Sequence, residues 1–491
     1  MTSATSTPAA RHPRGLYTLF FTEMWERLSY YGMRALLVLF MVDAVRDGGM
    51  GLDEKRATAI YGLYTAGVYL AALPGGWLAD RLFGAQRAVW IGGTVIALGH
   101  FSLAIPGTTF FFLGLLLVVL GTGLLKPNVS TLVGELYPEG GARRDAGFTL
   151  FYMGINLGAA LGPLVCSTLG EKVNWHWGFA AAGVGMVCGL VQFRLTRHHL
   201  GAIGHPPAPS PATGRDRTLA LGGLGLLIVV AGCLLAGVVV VDPVSLARRT
   251  TGVIVGLAVA WFAWAFLLAG LAREEKRRLA VIALLFVASA MFWSGFEQAG
   301  SSLNLFADRH TRRILPGNGF EIPAGWFQSL NAGFVILFAP VAAALWMTLA
   351  RRGLQPPLVA KFASGLLLLA AGFLVLVVAS RHALASGPVW PTWLVFTYLL
   401  HTWGELLLSP VGLSSVTKLA PRRLVGQAMG IWFLATSLGN LLAGLFAGTV
   451  SGEDAASMPM RFLQVVLTAG ATGLLLLLAS PFLRRLTPDV K

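Results

Sequence analysis

A chain of 491 residues that is 55% hydrophobic and only 12% charged is not an ordinary soluble domain; the composition indicates a polytopic membrane protein. The net charge of +15 would suit nucleic acid or acidic lipid. Lys and Arg gather, however, in the segments on the side of the N-terminus, as the positive-inside rule requires, and no nucleic-acid partner is expected. Cys166, Cys188 and Cys233 lie in apolar stretches, match no metal spacing and are read as packing thiols.

In chain order, residues 1–14 are Ser/Thr/Ala/Pro-rich and are expected to be a disordered cytoplasmic tail with no cleavable signal. Apolar runs long enough to cross ~30 Å of hydrocarbon follow at 15–43, 56–79, 87–105, 109–135, 146–169, 176–195, 218–241, 251–271, 279–306, 325–350, 358–380, 391–418, 425–450 and 460–484. Fourteen crossings put both termini on one side, expected to be cytoplasmic in a bacterial inner membrane. The Pro/Gly-rich stretch 198–217 reads as a cytoplasmic linker. The predicted plan is a six-helix bundle (15–197), the linker, two inserted helices nearly free of polar residues (218–271), a second six-helix bundle (272–486) and a short cytoplasmic tail (487–491). The halves share a weak repeat: Gly121-Thr-Gly-Leu-Leu-Lys126-Pro127 aligns with Gly404-Glu405-Leu-Leu-Leu-Ser409-Pro410, and the same offset superposes Pro138 on Pro421. Duplicated halves of this kind place a substrate site between them near the midplane.

The first span carries charge where charge is costly. Glu23, Glu26, Arg27, Tyr30, Tyr31 and Arg34 fall on one stripe of a helix, and a membrane helix with a polar stripe lines something wet. Three further ionisable groups occupy other spans: Lys126, Glu297 and Glu405. Ion pairs serving structure alone would be better replaced by apolar packing, so the set points to a hydrated chamber. Lys126 and Glu405, at similar depth in the repeat, are expected to face each other across it. Arg34 and Glu297, toward the outer ends of their spans, are expected to pair and close the outer side. A carboxylate beside Arg27 can exchange that partner for a proton when the guanidinium turns to an anionic substrate. Nucleophilic triad, nucleotide-binding loop and metal cluster are missing from the sequence, so catalysis is not expected.

Glu23-x-x-Glu26-Arg27-Leu28-Ser29-Tyr30-Tyr31-Gly32 resembles the ExxERFxYYG motif of the proton-dependent oligopeptide transporter (POT) family, within the major facilitator superfamily. That resemblance extends through Phe148-Thr-Leu-Phe-Tyr152-Met-Gly-Ile-Asn156-Leu-Gly158, Phe292-Trp293 with Phe296-Glu297-Gln298, Gly404-Glu405 with Ser409-Pro410, and Gly426-Gln-Ala-Met-Gly430-Ile-Trp432-Phe433, while Pro74-Gly-Gly-Trp-Leu-Ala-Asp80-Arg81 resembles the loop 2–3 signature of the superfamily. Leu28 stands where the family usually has Phe, and the second span lacks the histidine that animal members use there; His100 is read as a packing residue. The resemblance implies an all-α major facilitator fold and a proton-coupled symporter for di- and tripeptides, working as a monomer in the lipid bilayer without a cofactor. It implies that Glu23, Glu26 and Arg27, with Glu297, couple protons. Arg27 and Lys126 would attract the peptide carboxylate, and Glu405 with Asn331 the amino group. Arg34, Tyr30, Tyr69, Asn156, Trp432 and Ser409 would complete the pocket. The alternatives are another anionic or zwitterionic solute, such as nitrate or amino acids, and, more remotely, a membrane-embedded enzyme.

Overall fold

The computed structural model describes residues 12–206, 213–314, 317, 319–354, 356–450 and 455–486. Among these residues the regular structure is helical, with isolated bridges at Thr311–Val389 and Ile314–Glu321. The first six helices are α1 (Arg14–Val42), α2 (Glu54–Leu78), α3 (Ala85–Leu103), α4 (Thr108–Glu135), α5 (Gly141–Lys172) and α6 (Trp175–Thr196). Then come α7 (Thr213–Leu235) and α8 (Pro243–Leu267). The remainder comprises α9 (Arg273–Phe296), the short α10 (Ser302–His310), α11 (Ser329–Arg351), α12 (Leu358–Ser386), α13 (Thr392–Leu419), α14 (Val425–Val450) and α15 (Met458–Leu486). Each of the fourteen predicted spans corresponds to a long helix.

Local chemistry sets the ends. Asp53, Asn174 and Asp242 each cap a helix by accepting a backbone N–H, from Arg56, His176 and Ser245 respectively. Asp242 is followed by Pro243 at the first helical position, so α8 starts well before the expected residue 251 and contains Arg248 and Arg249. The preceding helix was expected to run to 241 and stops at Leu235. Gly237 takes φ 71°, and Val238 N–H turns back to the Cys233 carbonyl at 3.0 Å. Helix α7 opens inside the expected linker, at Thr213. At the N-terminus, residues 1–11 and likewise 487–491 lie outside the described residues. His12 and Pro13 do not conform to a disordered tail: His12 Nδ1 is 2.8 Å from the Tyr137 hydroxyl, and α1 begins at Arg14.

The span expected at 279–306 is interrupted. After Phe296 the chain makes a 3₁₀ turn, Glu297–Gly300, and Ser301 leaves helical geometry at φ −126°, ψ −98° before α10. Such a break is tolerated in a membrane only where protein satisfies the freed polar groups. Here Gln298 Nε2 donates to the Ser294 carbonyl at 3.0 Å, Ser302 Oγ to Gln298 Oε1 at 2.8 Å, and Asn304 Nδ2 to the Ala35 carbonyl at 2.8 Å.

Packing resolves two bundles. In the first, α1 lies along α5 and α6, α3 along α4 and α6, and α2 along α4. In the second, α12 packs on α13 and α15, α9 on α12, α14 and α15, and α11 on α13. The bundles meet through α2 against α14 and α5 against α11, while α8 sits across α2 and α14. Helix α7 buries only Asp216 and otherwise exposes apolar side chains. Hydrogen bonds and ion pairs between the bundles gather on the face opposite the termini. They include Ser329 Oγ to the Ala160 carbonyl at 2.7 Å, Trp326 Nε1 to Thr168 Oγ1 at 2.9 Å, and Arg309 with Glu54.

Close approach of α1 and α5 sets the position of the charged stripe. A side chain at Gly158 would strike the Met24 carbonyl, and one at Gly162 the Leu28 carbonyl. Gly158→Leu should therefore destabilise the protein by about 1–3 kcal/mol or more through overpacking. Thermal unfolding of purified protein in detergent checks this; a melting temperature equal to the parent would contradict the packing.

Candidate functional site

Because α1 is clamped between α5 and α6, its polar stripe faces inward rather than toward lipid: Glu23, Glu26, Arg27 and Arg34 are all buried. Arg27 Nε donates to Glu23 Oε1 at 2.7 Å and lies 3.0 Å from Glu26 Oε2. Glu26 is fully buried, and neither of its oxygens has a hydrogen-bond partner. One cation thus serves two carboxylates.

Arg34 follows two helical turns later, about 10 Å nearer the far side. Its Nη1 is 3.0 Å from Glu297 Oε2, and the guanidinium lies 5.4 Å and 5.9 Å from the ring centroids of Tyr31 and Tyr61. The expected proximity of Arg34 and Glu297 is present, and the 3₁₀ turn places the glutamate there. A single buried charge deprived of its partner is far more costly than a neutral pair. Glu297→Gln alone should therefore lower thermal stability by about 3–5 kcal/mol. The Arg34→Gln, Glu297→Gln double variant should recover part of the loss in the same unfolding assay.

A cavity between the bundles is lined by Tyr31, Arg34 and Tyr69 on one side and by Trp293, Glu297, Gln328, Asn331, Tyr398 and Glu405 on the other. Its second wall is organised by hydrogen bonds. Asn331 Nδ2 donates to Glu405 Oε2 at 2.9 Å and Thr402 Oγ1 at 3.0 Å, and Thr402 donates to the Tyr398 carbonyl at 2.7 Å. Tyr398, Thr402 and Glu405 recur at helical spacing on α13. That polar stripe was present in the sequence, but only Glu405 was selected from it.

Other expected site residues sit differently. Lys126 and Glu405 form no ion pair with each other. The Lys126 ammonium lies 4.1 Å from the centroid of Tyr69, a cation–π contact, while Glu405 is held by Asn331. Tyr69 connects Lys126 to the cavity wall. Tyr30 packs in the core against Tyr64, with ring centroids 6.1 Å apart. Asn156 donates to its own helix at the Tyr152 carbonyl, 2.9 Å away. Trp432, expected as a wall residue, packs edge-on against Phe362 in the second bundle's core. The Ser409 side chain is outside the described residues. His100 is fully buried in α3, as a packing residue would be. No group of His, Cys, Asp and Glu among the described residues is arranged to hold a metal ion.

A second charged cluster, not singled out in the sequence, lies on the far face. Arg313 contacts Asp308 at 2.8 Å, Glu321 at 3.1 Å and Glu171 at 3.6 Å, and Lys172 reaches Glu321 at 2.8 Å. The Lys172 hydrogen bond, with Arg313 nearby, holds the Glu321 carboxyl below the usual carboxylate range. These residues read as loop and helix-end charges, and only the fold brings them together.

Two helical bundles enclosing a charged cavity define a membrane solute transporter. The POT family model matches residues 86–461. A peptide transporter of Yersinia enterocolitica is 44% identical, covering 99% of this chain and 98% of its own length. A di-/tripeptide transporter of Lactococcus lactis subsp. cremoris is 38% identical over 87% of both chains. A crystal structure of a POT peptide transporter in complex with sulfate superposes with a TM-score of 0.88 at 42% identity, covering 98% of this chain and 97% of that one. The chain belongs to the POT family, a family of transporters rather than enzymes.

Proposed function

We propose that this protein imports di- and tripeptides together with protons across a bacterial inner membrane, by alternating access between its two bundles. One observation carries the reading: cationic side chains of the first bundle and a carboxylate of the second confront one cavity. Arg34 lines it, Lys126 reaches its wall through Tyr69, and Glu405 stands opposite beside Asn331. A zwitterionic peptide offers a carboxylate to the first pole and an ammonium to the second, which are charge-assisted interactions at both ends. Bacterial relatives named as peptide and di-/tripeptide transporters support the cargo class. The bias of Lys and Arg supports cytoplasmic termini, so the face joined by Arg34–Glu297 is periplasmic and the cavity belongs to an inward-directed state. A single chain contains both poles, and a monomer suffices.

The coupling ion is the proton, and Glu23, Glu26 and Arg27 carry it, with Glu297 as the second proton-sensitive partner. With both carboxylates ionised the three-residue cluster has a formal charge of −1; one proton on Glu26 neutralises it. When the Arg27 guanidinium turns toward a peptide carboxylate, Glu26 loses the cation that keeps it ionised and takes up a proton. Cargo and proton then travel with the smallest buried charge. Arg34, Tyr69, Lys126, Asn331 and Glu405 are the principal cargo contacts. Arg27 joins them when it releases a glutamate, and Tyr30, Asn156, Ser409 and Trp432 support the pocket. Lys126 and Glu405 are assigned to closing the opposite face, each leaving its present partner to do so.

In proteoliposomes with an inward proton gradient, labelled dialanine should accumulate, and a protonophore should dissipate the gradient and abolish that accumulation. Dipeptides and tripeptides should compete, whereas nitrate and free amino acids should not; the reverse pattern would replace the cargo assignment. Glu26→Gln should abolish gradient-driven accumulation, while exchange without a gradient survives. Accumulation at the parent rate in this variant would overturn the coupling assignment. Lys126→Ala should weaken binding of peptides with a free carboxylate about tenfold, the loss of one charge-assisted contact. C-terminally amidated peptides should bind the parent and the variant equally; equal losses for both cargoes would remove Lys126 from carboxylate recognition.

A further inference from the structure

The polar wall of the cavity hangs on a segment that the first bundle holds in place. Residues Ala324–Gln328 form a 3₁₀ turn leading directly into α11, and this segment carries Gln328 and, one turn on, Asn331 into the cavity. The turn begins with backbone N–H groups that need acceptors. Those of Ala324 and Gly325 donate to opposite oxygens of a single carboxylate, Glu171, at 2.6 Å and 2.9 Å. Glu171 belongs to α5, in the other bundle. Its side chain is only 8% exposed, and Arg313 approaches it at 3.6 Å. The same junction is fastened by Ser329 Oγ to the Ala160 carbonyl and Trp326 Nε1 to Thr168 Oγ1.

We propose that Glu171 is a positioning residue for cargo binding: it anchors the start of α11 across the bundle interface and thereby sets Asn331 and Gln328 in the cavity only while the far face is closed. The proposal rests on the transporter reading and deepens it. Opening the far face separates α5 from α11, so both N–H bonds must break and the start of α11 is released. Asn331 then loses the register that presents Glu405 to the cargo. Closure of one face and assembly of the amino-group pole become a single event. Neighbouring Glu321 shares Arg313 but makes no bond to the turn's N–H groups; it is the internal control.

The full-length protein in proteoliposomes tests this with Glu171→Ala, Glu171→Gln, Glu321→Gln and Asn331→Ala. Glu171→Ala should raise the KM for dialanine exchange about fivefold or more, and by less than about twofold when Asn331 is already Ala, because residues acting through one another are non-additive. Glu171→Gln, which keeps one acceptor oxygen, should fall between parent and Glu171→Ala. Glu321→Gln should stay within about twofold of the parent. Additive effects of Glu171→Ala and Asn331→Ala would overturn the proposal, as would a Glu321→Gln loss equal to that of Glu171→Ala.

A readout independent of cargo separates this from failure of the transport reading. Spin labels at Val45 and Ile314, exposed on the far face of opposite bundles, are introduced after Cys166, Cys188 and Cys233 are replaced by Ser. The Glu171→Ala variant should gain a longer-distance population that the parent lacks. An unchanged distance distribution in a variant that unfolds at the parental temperature would overturn the anchoring role, whether or not dialanine is the cargo.

Discussion

The arrangement of this protein follows from the cost of charge in hydrocarbon. Arg27 between Glu23 and Glu26 is a buried cluster in which one guanidinium faces two carboxylates, and the Lys126 ammonium is the next cation acting on both of them. Leaving an unbalanced charge in a low-dielectric interior costs several kcal/mol even after relaxation. The remaining structure can be understood as the means by which this cost is kept tolerable. Helix α1 is clamped by α5 and α6, so the stripe is shielded from lipid. Glycines at the α1–α5 contact bring backbone against backbone and prevent the stripe from rotating outward. A proton on one of the two glutamates brings the cluster to neutrality.

Arg34–Glu297 extends the same logic to the bundle interface. Each residue is buried, each belongs to a different bundle, and each would be left as an unpaired charge if the far face opened without substitution of its partner. The break at residues 297–300 makes the pairing possible, because it sets the glutamate on a turn rather than on a continuing helix. Several hydrogen bonds on that face act in concert with the pair. An opening transition must disrupt them together, which makes the interface a two-state element rather than a continuously adjustable one.

The long helices were legible because hydrocarbon imposes a length and a polarity that sequence displays directly. The stripe on α1 was legible because helical periodicity fixes which residues share a face. What periodicity cannot supply is the rotation of one bundle against another. Lys126 and Glu405 lie at matching places in the repeat, yet Lys126 has settled on Tyr69 and Glu405 on Asn331. Trp432 shares a motif with the family's pocket residues, but its ring meets Phe362, a contact between helices far apart in sequence. Glu171, Arg313 and Glu321 looked like ordinary helix-end charges, because the contacts that distinguish them span the bundle interface. Helix ends failed for a local reason: the apolar run past Leu235 continues, but Gly237 at positive φ ends the helix first.

The two poles of the cavity are built in different ways, and the difference bears on how one site accepts varied cargo. Glu405 is preorganised. Asn331 donates to it and to Thr402, and Thr402 is itself tied to the Tyr398 carbonyl, so moving the carboxylate disturbs a linked set of bonds. The cationic pole is looser. Lys126 rests on a ring face rather than in an ion pair. A lysine on a flexible stem can move by several ångströms at little cost, whereas a hydrogen-bonded carboxylate cannot. On the proposed assignment, the ammonium end common to all peptides meets the rigid pole. On the same assignment the carboxylate, whose distance from the ammonium changes with peptide length, meets the adaptable one. A site with two rigid poles would select a single length, and a site with two loose poles would not hold its cargo in one orientation.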